Sequence, residues 1–216
     1  MGAVMAGQAA AGARRKSGAR RPGNRRAVLL EAAARCFLDK GYAAASMRDI
    51  AARAGMQPGS IYYHFASKAE LLFAVHEAGM SRITAAVTAA LIGVEGPWRR
   101  LEAACVAHLA ALLEGGVFFQ AVMREMPARS HPARRRITRM RDDYEAIFAA
   151  LLADLPLSRG VDRRDLRLML LGAMNWSYSW YRPGGRTPAH IARSFVGFLR
   201  AGVDADAGVR RGGTTP

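Results

Sequence analysis

The stretch from Ser46 to Lys68 constrains the fold of this chain more than any other. Ser46 and Asp49 have the spacing of a capping box, in which a hydroxyl and a carboxylate each accept a backbone N–H at the start of a helix. Apolar residues then recur every three or four positions up to Gly55, a residue type that often ends helices. Pro58 suits the first turn of a second helix, where its missing N–H is not needed. The stretch therefore predicts two short helices joined by a tight turn.

The second short helix has an inward and an outward face. Ile61 and Phe65 can face inward, and this leaves four hydrogen-bonding side chains outward: Ser60, Tyr62, Tyr63 and His64. A helix pair that presents donors in this way has the geometry that enters a DNA major groove. Short helix pairs also occur in all-helical domains that bind nothing, so the spacing alone leaves both interpretations open. Ser67 and Glu70 repeat the capping-box pattern and start a third helix.

Residues 25–75 resemble the DNA-binding domain of the TetR family of bacterial transcriptional regulators. The resemblance is carried by SMRDIA at 46–51, AG at 54–55, PGSIYYHF at 58–65 and SK at 67–68. It implies a cytoplasmic regulator, expected to be a repressor, that contacts double-stranded DNA. The residues expected at the DNA are Ser46, Arg48, Gln57, Pro58, Gly59, Ser60, Tyr62, Tyr63, His64 and Lys68. Arg48 and Lys68 are expected to bind phosphates, whereas Gln57, Ser60 and Tyr62 are better placed to specify sequence.

The charge of the chain favours an acidic partner. The formal net charge is +15, and the basic residues of the first 26 positions precede any acidic one. Nucleic acid is the expected partner of such a chain. Residues 1–23 cannot bury a core and are predicted to form a disordered basic arm, while 204–216 are predicted to be a disordered tail. The arm is either a solvated tail or a segment that follows the DNA backbone, and the sequence does not separate these alternatives.

Helical periodicity continues through the rest of the chain. The expected fold class is all-α, with a three-helix helix-turn-helix domain over 24–70 and an all-helical ligand-binding and dimerisation domain over 71–203. The first helix is predicted to run from about residue 24 or 25 to Lys40, with Gly41 as its stop. Further helices are predicted at about 67–92, 97–113, 117–126, 132–155, 162–182 and 188–203. No apolar run is long enough to cross a membrane. Cys36 and Cys105 lie in apolar helical stretches and are expected to be free, buried thiols.

The segment Leu168–Tyr181 contains no charged residue, so its helix is apolar on every face. Such a helix needs burial on two sides, and we expect its own core on one side and a second subunit on the other. The TetR resemblance implies the same homodimer, because these regulators typically dimerise through their last two long helices. Two-fold symmetry then predicts a palindromic operator. The predicted interface residues are Trp180, Tyr181, Ile191, Phe195 and Phe198.

The segment Asn175–Gly185 is similar to the NW…WYRPGG signature of TetR regulators of lipid, sterol and fatty-acid catabolism, several of which sense acyl-CoA thioesters. An acyl-CoA effector would need an apolar tunnel and cations for its phosphates. The candidate ligand-binding residues are Phe119, Met123, Arg135, Phe148, Met174, Asn175 and Tyr178. Core packing is the alternative for the apolar members, a solvated face is the alternative for the arginines, and interface packing is the alternative for the aromatic run.

Catalytic and metal-site motifs are missing from the sequence. It contains no G-x-S-x-G elbow, no P-loop, no G-x-G-x-x-G and no paired-histidine zinc motif. We therefore expect no enzyme activity, no catalytic residue, no metal and no cofactor. The remaining alternative to a ligand-responsive regulator is a constitutive or architectural DNA-binding protein without an inducer. The two differ in whether a small molecule changes the affinity for DNA.

Overall fold

The computed structural model describes residues 22–124 and 131–203, and every element in these ranges is helical. The elements are α1 (Pro22–Ala44), α2 (Met47–Arg53), a 3₁₀ helix (Pro58–Tyr63), α3 (Lys68–Ala90), α4 (Pro97–Glu114), α5 (Val117–Arg124), α6 (Arg134–Ala153), α7 (Arg163–Trp176), a 3₁₀ turn (Ser177–Ser179) and α8 (Pro188–Val203). The all-α prediction is confirmed. In the described ranges no helix has the length and apolar character needed to span a membrane. The predicted tail, and the predicted arm up to residue 21, lie outside the described residues.

Two helix ends differ from the sequence prediction. The first helix was expected to stop at Gly41, but α1 runs to Ala44 across a break at Gly41, whose φ of 76° a glycine tolerates. The helix predicted over 162–182 ends at Trp176. The hydroxyl of Ser177 donates to the carbonyl of Met174 over 2.6 Å, a local bond that competes with the helical pattern. A 3₁₀ turn therefore replaces the last helical turn.

Two hydrophobic clusters form the interior, and α3 belongs to both. The first cluster surrounds Phe37 and Ile61 and includes Leu72 from the start of α3. The second surrounds Phe148 and Leu109 and receives other α3 side chains further along the helix. Cys36 lies in the first cluster and Cys105 in the second, and both are free and buried as predicted.

Helix α5 also joins the two clusters. Phe118 and Ala121 pack into the first cluster, whereas Phe119 and Val122 pack into the second. A Cβ atom on Gly79 of α3 would lie 2.7 Å from a methyl group of Val122, a separation that real Cβ atoms do not show. Glycine at this position therefore allows α5 to lie close across α3, where it can also reach α1.

Candidate functional site

The exposed side of the 3₁₀ helix between α2 and α3 is the surface that the sequence predicts to contact DNA, and it is called the reading surface below. Ile61 is fully buried and Phe65 is nearly so, and these two side chains anchor the segment as predicted. Tyr62 is 57% exposed and Tyr63 is 91% exposed. Ser60 and His64 are half-buried beside them. The segment therefore presents two tyrosine side chains on a rigid support, although it forms a single 3₁₀ helix rather than an α-helix.

The start of α2 is closed by the predicted capping box. The Ser46 hydroxyl accepts the Asp49 backbone N–H over 3.1 Å and donates to the Asp49 carboxylate over 2.7 Å. Hydrogen bonds from Ser46, and then from Lys40, hold the pKa of Asp49 well below its usual range. The Ser46 hydroxyl proton is thus already used within the protein. The other predicted residues of this region are exposed: Arg48, Gln57, Pro58 and Gly59.

The second predicted box is only half formed. Ser67 accepts the backbone N–H of Glu70 over 3.1 Å, but the Glu70 carboxylate accepts the N–H of Ala66 rather than that of Ser67. Gln57 precedes the 3₁₀ helix and makes no side-chain cap. Its amide therefore remains at the surface, beside the reading segment.

The structure shows a role for Lys68 within the protein, beside the role expected at the DNA. Its ammonium donates to the carbonyls of Tyr42, Ala43 and Ala45 over 2.8, 3.2 and 2.9 Å, and it lies 4.5 Å from the centre of the Tyr42 ring. An ammonium group has three N–H donors, and all three have acceptors here. Lys68 therefore fastens the end of α1 to the start of α3, and no donor remains for a DNA phosphate in this conformation.

Tyr42 also connects this domain to the second half of the chain. Its hydroxyl lies 2.8 Å from Nε2 of His131, and the two rings meet edge to face with centroids 4.9 Å apart. Nδ1 of His131 accepts the backbone N–H of Ala133 over 3.1 Å, which leaves the ring proton on Nε2 to donate to Tyr42. Burial, followed by the charge of Lys68, lowers the pKa of His131. The segment that leads into α6 is thus bonded to the N-terminal domain, which comprises α1, α2, the 3₁₀ helix and the start of α3 and is called the reading domain below.

A small cavity with both polar and apolar walls lies among α3, α4, α5, α6 and α7. Nδ1 of His108 is 2.7 Å from the Tyr144 hydroxyl, and its Nε2 is 3.2 Å from Oδ1 of Asn175. The cavity has a volume of about 40 Å³ and is lined by Met80, Ile83, His108, Leu112, Val122, Arg141, Tyr144, Glu145, Leu171 and Asn175. Space of this size holds a few water molecules but no acyl chain. A larger ligand can enter only if the cavity widens.

Burial keeps His108 uncharged. The side chain is 2% exposed, and desolvation lowers the pKa of the imidazole to about 4, against an opposing effect of the hydrogen bond to Asn175. Burial also raises the pKa of the Tyr144 hydroxyl. The bonded group of Tyr144, His108 and Asn175 is therefore neutral near pH 7.

The predicted ligand residues whose side chains the structure describes fall into three groups. Asn175 lines the cavity. Phe119, Phe148 and Met174 are buried in the second hydrophobic cluster but do not line the cavity, so core packing accounts for them. Arg135 and Tyr178 are exposed and also lie away from the cavity lining, while the side chain of Met123 lies outside the described residues.

Sequence reasoning missed the residues of α6 that complete this cavity. Arg141, Tyr144 and Glu145 lie one turn apart on the cavity side of α6, next to Phe148. The available signal was the repeat of polar and aromatic residues at three- and four-residue spacing in a buried helix. The contact of Tyr144 with His108 on α4 was not predicted either.

The predicted dimer surface stays a prediction, and the structure gives the exposure of its residues in the single chain. A groove of about 310 Å³ between α7 and α8 is open to solvent in the single chain and includes Met169, Phe195 and Phe198. Phe198 is 76% exposed and Trp180 is 43% exposed. Ile191 is only 3% exposed and packs in the second cluster, so it is a core residue rather than an interface residue. Tyr181 is half-buried against the same cluster.

Comparisons with known proteins agree with this architecture. Residues 29–75 match the family described as bacterial regulatory proteins, tetR family, and residues 94–203 match the tetracyclin repressor-like C-terminal domain. The HTH-type transcriptional repressor KstR2 of Mycobacterium tuberculosis is 28% identical over 189 residues, which cover 83% of this chain and 93% of that protein. The HTH-type transcriptional activator FasR of Mycolicibacterium smegmatis is 40% identical over 99 residues, or 43% of this chain and 45% of that protein.

Solved structures give the same result. The structure of AibR in complex with isovaleryl coenzyme A and operator DNA superposes with a TM-score of 0.72 at 28% identity, covering 81% of this chain and 97% of AibR. The KstR2 structure has a TM-score of 0.71 at 25% identity and covers 83% of this chain and 95% of KstR2. The chain therefore belongs to the tetR family of bacterial regulatory proteins and is a helix-turn-helix transcriptional regulator rather than an enzyme.

Proposed function

We propose that this regulator is a homodimeric repressor that binds a palindromic operator and releases it when an acyl-CoA-type effector enters the helical domain. The exposed Tyr62 and Tyr63 support the DNA-reading part of this proposal. KstR2, a repressor, aligns over most of the chain, whereas FasR, an activator, aligns over less than half, and this difference favours repression. The AibR complex with isovaleryl coenzyme A supports the effector class.

The connection through α6 between the cavity and the reading domain supports the proposed ligand response. Helix α6 contributes Tyr144 to the cavity, and the residues that lead into the same helix include His131, which bonds Tyr42 of the reading domain. A ligand that widens the cavity must displace α6 or its neighbours, because the present volume is too small. Such a displacement changes the contact between His131 and Tyr42. A ligand that binds the displaced arrangement better lowers the DNA affinity by the same free-energy difference.

The open groove between α7 and α8 supports the dimer. Phe195, Phe198 and Met169 form an apolar surface that a second copy of α7 and α8 would cover. Because a two-fold dimer carries two reading surfaces, the operator is expected to contain two half-sites in inverted order.

The test is fluorescence anisotropy of the protein on labelled DNA from its own upstream region. Isovaleryl-CoA, octanoyl-CoA and free CoA are added to the preformed complex, and we expect release by a thioester but not by free CoA. The matched variant Tyr63→Phe removes one exposed hydroxyl and should bind the DNA about threefold to tenfold more weakly, with an unchanged melting temperature. A complex that ignores both thioesters would support the constitutive alternative, and a complex that does not form would refute the operator assignment.

A further inference from the structure

The hydrogen bonds around His108 determine which polar atoms still face the cavity. Oδ1 of Asn175 only accepts, so the ring N–H at Nε2 of His108 donates to it. The unprotonated Nδ1 then accepts the hydroxyl proton of Tyr144. With both bonds made, the amide N–H donors of Asn175 remain for a ligand at the cavity wall. The site therefore offers a donor to an oxygen acceptor.

The charges of the cavity wall favour an uncharged acceptor. Arg141 and Glu145 both line the cavity, and their formal charges cancel. Glu145 also lies 3.8 Å from the guanidinium of Arg167. A carboxylate ligand would add a second negative charge beside Glu145, whereas a carbonyl oxygen adds no charge and needs only an N–H donor. The wall thus suits the carbonyl of an ester, amide or thioester better than the carboxylate of a free acid.

A route from the surface leads to this donor. A groove of about 460 Å³ runs between α3 and α6, and Ser81 and Thr84 form part of its polar edge. Met80 and Tyr144 line both this groove and the inner cavity. Methionine side chains adapt their shape readily, so movement of Met80 can join the two spaces. A long ligand could then place its acyl end inside and its polar part in the groove.

We propose that Asn175, held by His108 and Tyr144, binds the carbonyl oxygen of an acyl thioester that enters between α3 and α6. In this site His108 and Tyr144 are positioning residues, and Asn175 determines specificity for the carbonyl. The inference rests on the proposed function, since it assigns a residue to the effector named there. It goes further by predicting that the thioester oxygen, and not the acyl chain alone, is recognised.

The test uses pairs of ligands that differ only in the carbonyl. Isothermal titration calorimetry compares isovaleryl-CoA and octanoyl-CoA with their S-alkyl thioether analogues, which keep the chain but lack the oxygen. The wild-type protein should bind the thioester of each pair about tenfold more tightly, the difference made by one buried hydrogen bond. In Asn175→Leu this ratio should fall to about one, because the donor is lost and thioether binding provides the internal reference.

A second variant separates loss of the carbonyl contact from loss of the fold. Asn175→Asp has nearly the same shape and keeps the acceptor for His108, but it lacks the N–H donors, so its ratio should also fall to about one. Melting temperature and circular dichroism check the fold of both variants. If the folded variants keep the tenfold ratio, or if the wild type shows none, this inference is wrong while the proposed function stands. If the wild-type protein binds none of the thioesters, the effector part of the proposed function fails and this inference fails with it.

Discussion

Lys68 offers a quantitative test of how the reading domain is held together. Lys68→Met keeps most of the aliphatic stem but removes all three hydrogen bonds to the carbonyls of Tyr42, Ala43 and Ala45. Hydrogen bonds that involve a charged group contribute about 1.5–3 kcal/mol each, and water can replace the donor at the exposed carbonyl. The two part-buried hydrogen bonds remain uncompensated, so we expect the free energy of unfolding to fall by about 3–6 kcal/mol.

The matched control is Lys40→Met. Lys40 pairs with Asp49 over 2.9 Å, but the lysine side chain is 47% exposed and the aspartate side chain is 35% exposed. A surface ion pair of this kind contributes at most about 1 kcal/mol. Urea denaturation of both variants at one protein concentration measures the difference, since the stability of a dimer depends on concentration. A loss for Lys68→Met no larger than that for Lys40→Met would refute the fastening role.

DNA binding provides the second readout for Lys68. If Lys68 bound a phosphate in each subunit, Lys68→Met would reduce the slope of log K against log salt concentration by about 1.8, at about 0.9 for each contact. A scaffold role predicts an unchanged slope at temperatures where the variant is folded. A reduced slope would support the phosphate contact that the sequence predicts. It would also show that the Lys68 ammonium leaves the three carbonyls when DNA binds.

Two further predictions concern the dimer and the buried histidine. Phe198→Arg places a charge in the groove between α7 and α8 and should give a folded monomer by light scattering, whereas a variant that remains dimeric would place the interface elsewhere. The stability that depends on neutral His108 is fully present above pH 6.5, its unperturbed pKa, and is lost as the pH falls toward its folded pKa of about 4, by up to about 3 kcal/mol per subunit. His108→Gln should make the decline between pH 7 and 4.5 shallower in urea denaturation, and an equally steep decline would assign it to other groups.

The sequence was most informative where local chemistry decides the structure. The capping box of Ser46 and Asp49, the anchors Ile61 and Phe65, and the exposure of Tyr63 all follow from spacing within one turn or one short helix. The extent of α8 was also predicted, because its apolar residues repeat with helical period. These features need no knowledge of distant parts of the chain.

The sequence did not predict the contacts between residues far apart in the chain. The acceptors of the Lys68 ammonium are carbonyls 23 to 26 positions earlier, and no local pattern indicates them. Ile191 and Phe198 lie on one predicted stripe, yet the packing of α8 buries the first and exposes the second. The hydrogen bond between His108 and Tyr144 joins residues that are 36 positions apart in the chain. A helical pattern gives the faces of a helix, but it does not say which neighbour each face meets.

The packing of α5 in both hydrophobic clusters affects the order in which the protein can fold during synthesis. Phe118 and Ala121 belong to the hydrophobic cluster of the N-terminal domain, and His131 bonds Tyr42 of the same domain. When the first three helices leave the ribosome, the side chains that complete their core have not yet been translated. Domains usually fold as units from the N-terminus as they emerge. Here the N-terminal domain reaches its final packing only after residue 131 is outside the exit tunnel, so the reading surface is completed together with the C-terminal half.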